Sequence, residues 1–122
     1  MTIPAILCID DEELGLEVRK MVLEREGYAV LTAGDGPTGL SIFASRHIDA
    51  VILDYVMPGL DGGQVALQMR QSKPEIPIIL LSAYAALPDE VMCAVDITIA
   101  KGDGALILID RLKELLERGK RL

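Results

Sequence analysis

An α/β fold, a doubly wound (βα)5 five-stranded parallel sheet, follows from three observations on this sequence. Strand and helix signals alternate along the chain. The strand signals are short unbroken apolar runs, such as Ala5-Ile6-Leu7-Cys8-Ile9 and Ala50-Val51-Ile52-Leu53, the mark of strands buried on both faces. The links are short, so each strand crosses to a parallel neighbour over a helix, and helices cover both faces.

Ala5 to Ile9 is the first strand. The next segment carries Leu14, Val18, Met21 and Val22 at helical spacing, with Glu12 and Glu13 favourable at the N-terminal end of the helix dipole, and Gly27 stops it. Tyr28 to Ala33 is the second strand. Gly34-Asp35-Gly36 turns the chain, and Pro37 suits the first position of a helix bearing Leu40, Phe43 and Ala44. Ala50 to Leu53 is the third strand. Met57-Pro58-Gly59 forms a loop before the third helix, Gly62 to Ser72. Gly62-Gly63 reads as a turn with a close helix start rather than a phosphate cradle. Pro77 opens the fourth strand, Ile78 to Leu81. Pro88 starts a short helix that runs to Ala94, and Ile97 to Ala100 is the fifth strand. The last helix begins near Asp103, with Ala105, Leu108, Ile109, Leu112, Leu115 and Leu116 on one buried face. Ile107 falls opposite and is expected to be exposed.

The 122 residues, 51% of them apolar, suit one domain, 1–122, around one core. A net charge of -7 argues against direct nucleic-acid binding. No stretch reaches transmembrane length, and the apolar run after Ile3-Pro4-Ala5 stops at two aspartates, so neither a membrane span nor a signal peptide is read. Cys8 and Cys93 lack metal-binding spacing and read as reduced core residues, which suits the cytoplasm. His47 stands alone and reads as a loop or surface residue.

Asp10 and Asp11 end the first apolar run, and Asp54 ends the third. Ionised side chains at the ends of buried strands are costly unless something pairs with them. Ligands of open parallel sheets bind beyond the carboxyl ends of the strands. Asp10, Asp11, Asp54, Ser82 and Lys101 all fall at such ends and should converge on one edge. Three carboxylates form a hard oxygen site of the kind Mg²⁺ prefers, completed by waters and a backbone carbonyl. One carboxylate can then attack phosphorus, a reaction that needs in-line positioning and neutralised oxygens. Mg²⁺ covers one oxygen, Lys101 can cover another, and the Ser82 hydroxyl can donate to a third. The plainer readings are a helix cap for Asp10 and Asp11, an ordinary strand-end hydroxyl for Ser82 and a solvated Lys101. Adjacent aspartates joined by a third, and a lysine that closes an apolar strand, favour the site.

Ile9-Asp10-Asp11-Glu12, Leu53-Asp54 with Met57-Pro58-Gly59 and Asp61-Gly62, Leu81-Ser82-Ala83 and Lys101 form a specific set. With it, the chain resembles the receiver domain of two-component response regulators along almost its whole length. The resemblance implies a flavodoxin-like receiver fold with strand order 2-1-3-4-5. It implies Asp54 as phospho-acceptor and Mg²⁺, with Mn²⁺ as a substitute, held by Asp10, Asp11, Asp54 and the backbone carbonyl of Val56. Ser82 and Lys101 would contact the phosphoryl group. The donor would be a phosphohistidine on a sensor histidine kinase or histidine phosphotransfer protein, and the acyl phosphate would later be hydrolysed. Such a domain assists its own phosphotransfer and dephosphorylation but is not otherwise an enzyme. It would signal through altered partner affinity, including a homodimer through the face made by the fourth helix, fifth strand and fifth helix.

Three positions depart from the family pattern. Receivers usually carry Tyr or Phe three residues before the lysine; here that residue is Thr98, which leaves Tyr84 as the other switch candidate. Gly102 follows Lys101 where proline is usual. The interval 101 − 82 = 19 is a few residues short, which predicts a reduced fourth helix or flanking loops. Two other functions stay open at this point. One is a receiver-fold scaffold acting by phosphorylation-independent protein interaction. The other is an aspartyl phosphatase or phosphotransferase of another α/β class, against which Val56 stands where a second acid is usual. Arg118-Gly119-Lys120-Arg121-Leu122 reads equally as a tail or the start of a linker, so a stand-alone receiver and a piece of a longer regulator both fit.

Overall fold

Among the described residues five strands alternate with five helices: β1 (Ala5–Ile9), α1 (Glu13–Arg25), β2 (Ala29–Ala33), α2 (Gly36–Ser45), β3 (Ala50–Asp54), α3 (Gly62–Ser72), β4 (Ile78–Ser82), α4 (Asp89–Ala94), β5 (Ile97–Ala100) and α5 (Ala105–Lys120). The structure is a computed structural model that describes residues 2–84 and 86–120, the side chains of 119 and 120 excepted. Arg121 and Leu122, the end of the tail read above, lie outside the described residues. The sheet order is β2-β1-β3-β4-β5, as expected, and every pair is parallel. Successive strands are added on opposite sides of β1, with β2 on one side and β3 onward on the other, which puts the switch point beside the ends of β1 and β3. Ile9 pairs with Leu53, Leu53 with Leu80, and Ser82 with Ala100, so the carboxyl ends stand level along one edge.

Alternate strand residues feed two apolar layers. Leu7, Ile9, Val51, Leu53 and Leu80 pack with Phe43 of α2 and with Val65 and Met69 of α3. On the other face Ile6, Cys8, Ile52, Ile79 and Leu81 pack with Leu16 and Leu23 of α1 and Leu108, Ile109, Leu112 and Leu115 of α5. The unbroken apolar runs thus have the cause expected of them: β3 and β4 are buried at every position.

Several expectations need correcting. The stripe read on α1 from Leu14, Val18 and Met21 is exposed. The inward face is instead Leu16 and Leu23, with the half-buried Arg19 between them. These three are spaced i, i+3 and i+7 and so share one side of a helix. Ala44 of α2 is exposed, because Gly39 and Phe43 take the sheet-facing side. Ala105 is exposed too, since α5 begins there rather than near Asp103 and only its later turns lie on the sheet. Ile107 is exposed as expected. Tyr28 stays outside β2 and its N–H instead bonds the Leu23 carbonyl at the end of α1. Cys8 is buried, but Cys93 is exposed, because α4 turns only Val91 and Ala94 inward. His47 lies at the surface against Asp49, 3.0 Å away. At six residues, α4 is as short as the spacing predicts. Among the described residues no helix is long and apolar enough to cross a membrane.

Arg70 ties this short-helix region down. Its guanidinium donates to the carbonyls of Ala94 (3.0 Å), Pro74 (2.8 Å) and Ile76 (2.9 Å), and to the Asp96 carboxylate (2.8 Å). Asp96 in turn accepts from the Ile78 N–H that starts β4, at 2.7 Å. Arg70→Met strands these acceptors together and is expected to cost about 2 kcal/mol, read from the urea midpoint.

Candidate functional site

Neighbouring strands deliver the acids. Asp54 is the last residue of β3, and Asp10 and Asp11 directly follow β1. Because Ile9 is level with Leu53, Asp10 arrives beside Asp54. One carboxylate oxygen from each of Asp10, Asp11 and Asp54 lies within 4.8 Å of the others. Asp10 and Asp54 are 2% and 1% exposed, whereas Asp11 faces solvent.

The two buried acids differ in their partners. Asp10 Oδ1 accepts from the Glu12 N–H at 2.9 Å, and Oδ2 from both terminal nitrogens of Arg19, each at 3.3 Å. Lys101 Nζ lies 2.8 Å from Asp54 Oδ1, an ion pair by distance that lacks the alignment of a hydrogen bond. Neither Asp54 oxygen has a hydrogen-bond partner among the described residues. Burial pushes the Asp54 carboxyl above its ordinary range; Lys101 offsets part of this, and the charge of Asp10 adds to it. For Lys101, burial pulls the ammonium down, but Asp54 first, then Asp10 and Glu12, outweigh it and hold its pKa up.

Lys101 is pinned just past β5 by its N–H, which donates to the Ser82 carbonyl at 3.0 Å. Ser82 ends β4 and is buried. Its hydroxyl accepts from the Tyr84 N–H at 2.9 Å and donates to the Tyr84 carbonyl at 3.4 Å, so it is engaged with its own loop and not with Asp54. The Tyr84 ring is exposed and meets Tyr55 edge-on, centroids 6.3 Å apart. Thr98 is exposed in the body of β5, opposite Leu80, two positions short of the strand end. Val56 follows Asp54 by two residues in a loop whose far end is fixed by a capping box between Asp61 and Gln64.

The sheet edge therefore brings together Asp10, Asp11, Asp54 and Lys101, with Ser82 at hand but turned away. Sequence reasoning missed Arg19. Its signal was positional: a charged residue on the same helical face as Leu16 and Leu23 must find an acid or be stranded. As a donor set, three carboxylates, one of them buried with both oxygens free of hydrogen bonds, fit a hard divalent cation such as Mg²⁺.

The comparisons with known proteins agree with one another. A family model described as the response regulator receiver domain matches residues 6–100. Among curated proteins, the transcriptional regulatory protein CseB of Streptomyces avermitilis is 32% identical over 116 residues, covering 93% of this chain and 49% of that protein. The alkaline phosphatase synthesis transcriptional regulatory protein PhoP of Bacillus subtilis is 40% identical over 87 residues, 71% of this chain and 36% of that protein. The chain thus spans about half the length, or less, of the curated relatives it matches. Among solved structures, a CheY-like receiver domain protein from Methanospirillum hungatei JF-1 superposes with a TM-score of 0.94 at 25% identity, covering 98% of each chain. The response regulator TrrA of Thermotoga maritima, solved with Mg²⁺-BeF, gives 0.87 at 37% identity, covering 93% of this chain and 99% of that one. With most of its length inside the matched region and the same sheet order, the chain belongs to the response regulator receiver domain family.

Proposed function

We propose that the chain is one receiver domain, 1–122, working in the cytoplasm. It accepts a phosphoryl group on Asp54 from a phosphohistidine of a sensor histidine kinase or a histidine phosphotransfer protein. Asp10, Asp11 and Asp54, with the backbone carbonyl of Val56, would hold Mg²⁺, or Mn²⁺ in its place. The observation that carries this reading is the Asp54 carboxylate, 1% exposed with both oxygens lacking hydrogen bonds, and an ammonium 2.8 Å from one of them.

Bound Mg²⁺ supplies positive charge that keeps the acids ionised and neutralises a phosphoryl oxygen. An ionised Asp54 oxygen attacks phosphorus in line; the phosphorus–nitrogen bond of the donor breaks, and its electron pair leaves with the imidazole. Lys101 already stands on the acceptor carboxylate and can follow the charge onto a phosphoryl oxygen. Ser82 must rotate its hydroxyl away from the Tyr84 carbonyl to donate to another. That rotation gives up the bond to the Tyr84 carbonyl, so we assign the read-out to the Ser82–Tyr84 turn and the Tyr84–Tyr55 contact rather than to Thr98. The changed surface alters affinity for a partner, or for a second copy through α4, β5 and α5. A scaffold acting without phosphorylation gives no reason to keep a buried carboxylate without a hydrogen bond, which is costly.

Incubation with acetyl phosphate tests this directly. Acid-stable, base-labile phosphate should be incorporated with Mg²⁺ and vanish when a chelator is present. Incorporation undiminished by the chelator would remove Mg²⁺ from the reading.

A further inference from the structure

We propose that Arg19 is a built-in, displaceable counter-cation of the acid pocket, and that it keeps the pocket's affinity for a divalent cation low. The inference rests on the reading above that this pocket takes such an ion. Each buried acid has an internal cation: Lys101 on Asp54, and Arg19 on Asp10. Exposed Asp11 has none among the described residues, as solvent already serves it.

Two features make the Arg19 contact exchangeable. Both of its nitrogens crowd one oxygen, Asp10 Oδ2, at 3.3 Å, longer than the usual 2.7–2.9 Å of a charge-assisted bond. Arg19 also lines a cavity of about 480 Å³ together with Glu12, Val22, Ile99, Lys101, Asp103 and Leu108. The side chain therefore has open space beside Asp10, with the acidic residues Glu12 and Asp103 at the wall and Lys101 as the opposing cation. A divalent ion taking Asp10 would compete with the guanidinium for its carboxylate charge and would be repelled by the guanidinium until it moved.

The sign of one substitution separates this role from its rivals. An arginine that merely packs α1 onto the sheet would leave cation affinity alone. One that orients Asp10 for the metal would, when removed, weaken binding about tenfold or more. A counter-cation, when removed, tightens it, by about tenfold for a unit charge several ångströms away.

The experiment is calorimetric titration of Mg²⁺ into the wild type, Arg19→Gln, Arg19→Lys and Asp10→Asn. Tighter binding by Arg19→Gln, with Arg19→Lys near the wild type, is the expected result. Unchanged or weaker binding by Arg19→Gln would overturn it. Asp10→Asn keeps the two failures apart: if wild type and Asp10→Asn bind Mg²⁺ alike, or not at all, the pocket reading itself fails. Should Arg19→Gln not fold, the Arg19 Nε–H resonance of the wild type can be followed during the titration. It should shift with the calorimetric affinity, and a resonance that does not move contradicts displacement.

Discussion

Asp54→Asn is expected to abolish phosphoryl incorporation while raising the stability of the metal-free protein by about 1 kcal/mol at neutral pH. The first effect is complete, because an amide offers no nucleophilic oxygen that can form an acyl phosphate. The second follows from the cost of an ionised carboxylate that is 1% exposed and has no hydrogen bond. Burial raises the Asp54 pKa in the folded state, so its neutral form is the one the fold prefers. The stability linked to that preference is fully present below the unfolded pKa and is lost as pH rises through the folded one. An asparagine has no such loss. The wild-type and variant stability curves should therefore meet in acid and separate towards neutral pH, with the variant higher. Lys101 works against this. Its raised pKa adds stability that is lost only as pH climbs through the alkaline range, and the variant forgoes that pairing. Burial is the largest influence on Asp54, and it decides the sign. Thermal denaturation across pH, in chelator, checks the stability effect. A variant that still takes up phosphate, or that melts below the wild type at neutral pH, contradicts it.

Gly62→Ala is expected to cost about 3 kcal/mol and to damage the site along with the fold. A Cβ at Gly62 would collide with the backbone carbonyl oxygen of Asp54 and stand 2.8 Å from Tyr55 Cα. Both are main-chain atoms at the end of β3, so relief requires moving the strand end that carries Asp54. The Gly62 N–H also donates to the Tyr55 carbonyl at 2.7 Å, which fixes the start of α3 against that same turn. Gly63→Ala is the control. Its Cβ would meet Val91 Cγ2 at 2.7 Å and Asp61 Oδ1 at 3.2 Å, side-chain rather than main-chain atoms, so the cost should be smaller, about 2 kcal/mol. Urea unfolding of both variants checks the ranking. The reading of Gly62-Gly63 as a close helix start rather than a phosphate cradle has this physical content.

What was legible in the sequence was legible for a reason. Strands buried on both faces carry unbroken apolar runs, so β1 was bounded as observed and β3 and β4 fell only one residue short; α3 and β5 were also bounded as observed, though β5 is only partly buried. The acids that close two of those runs could be placed on one edge before any geometry was known, because parallel strands in register end together. Strand order came from resemblance, since periodicity says nothing about which strands are neighbours. The failures also have causes. The inner face of α1 was misread because Arg19 occupies a position that apolar patterning reserves for a hydrophobe, while Leu14, Val18 and Met21 lie exposed. The direction of the Ser82 hydroxyl was not readable, because a rotor with a backbone partner two residues away looks no different in sequence from one aimed at a carboxylate.

The central claim is that the buried carboxylate at the end of β3, which lacks a hydrogen bond, is the group that receives phosphate. The most direct measurement treats the protein with acetyl phosphate and Mg²⁺, reduces it with borohydride and sequences its peptides by mass spectrometry. Reduction converts a phosphorylated aspartate to homoserine. Homoserine at position 54 alone, present with Mg²⁺ and absent with chelator, is the predicted result. Homoserine at position 10 or 11, or none anywhere in the Mg²⁺ sample, would contradict it.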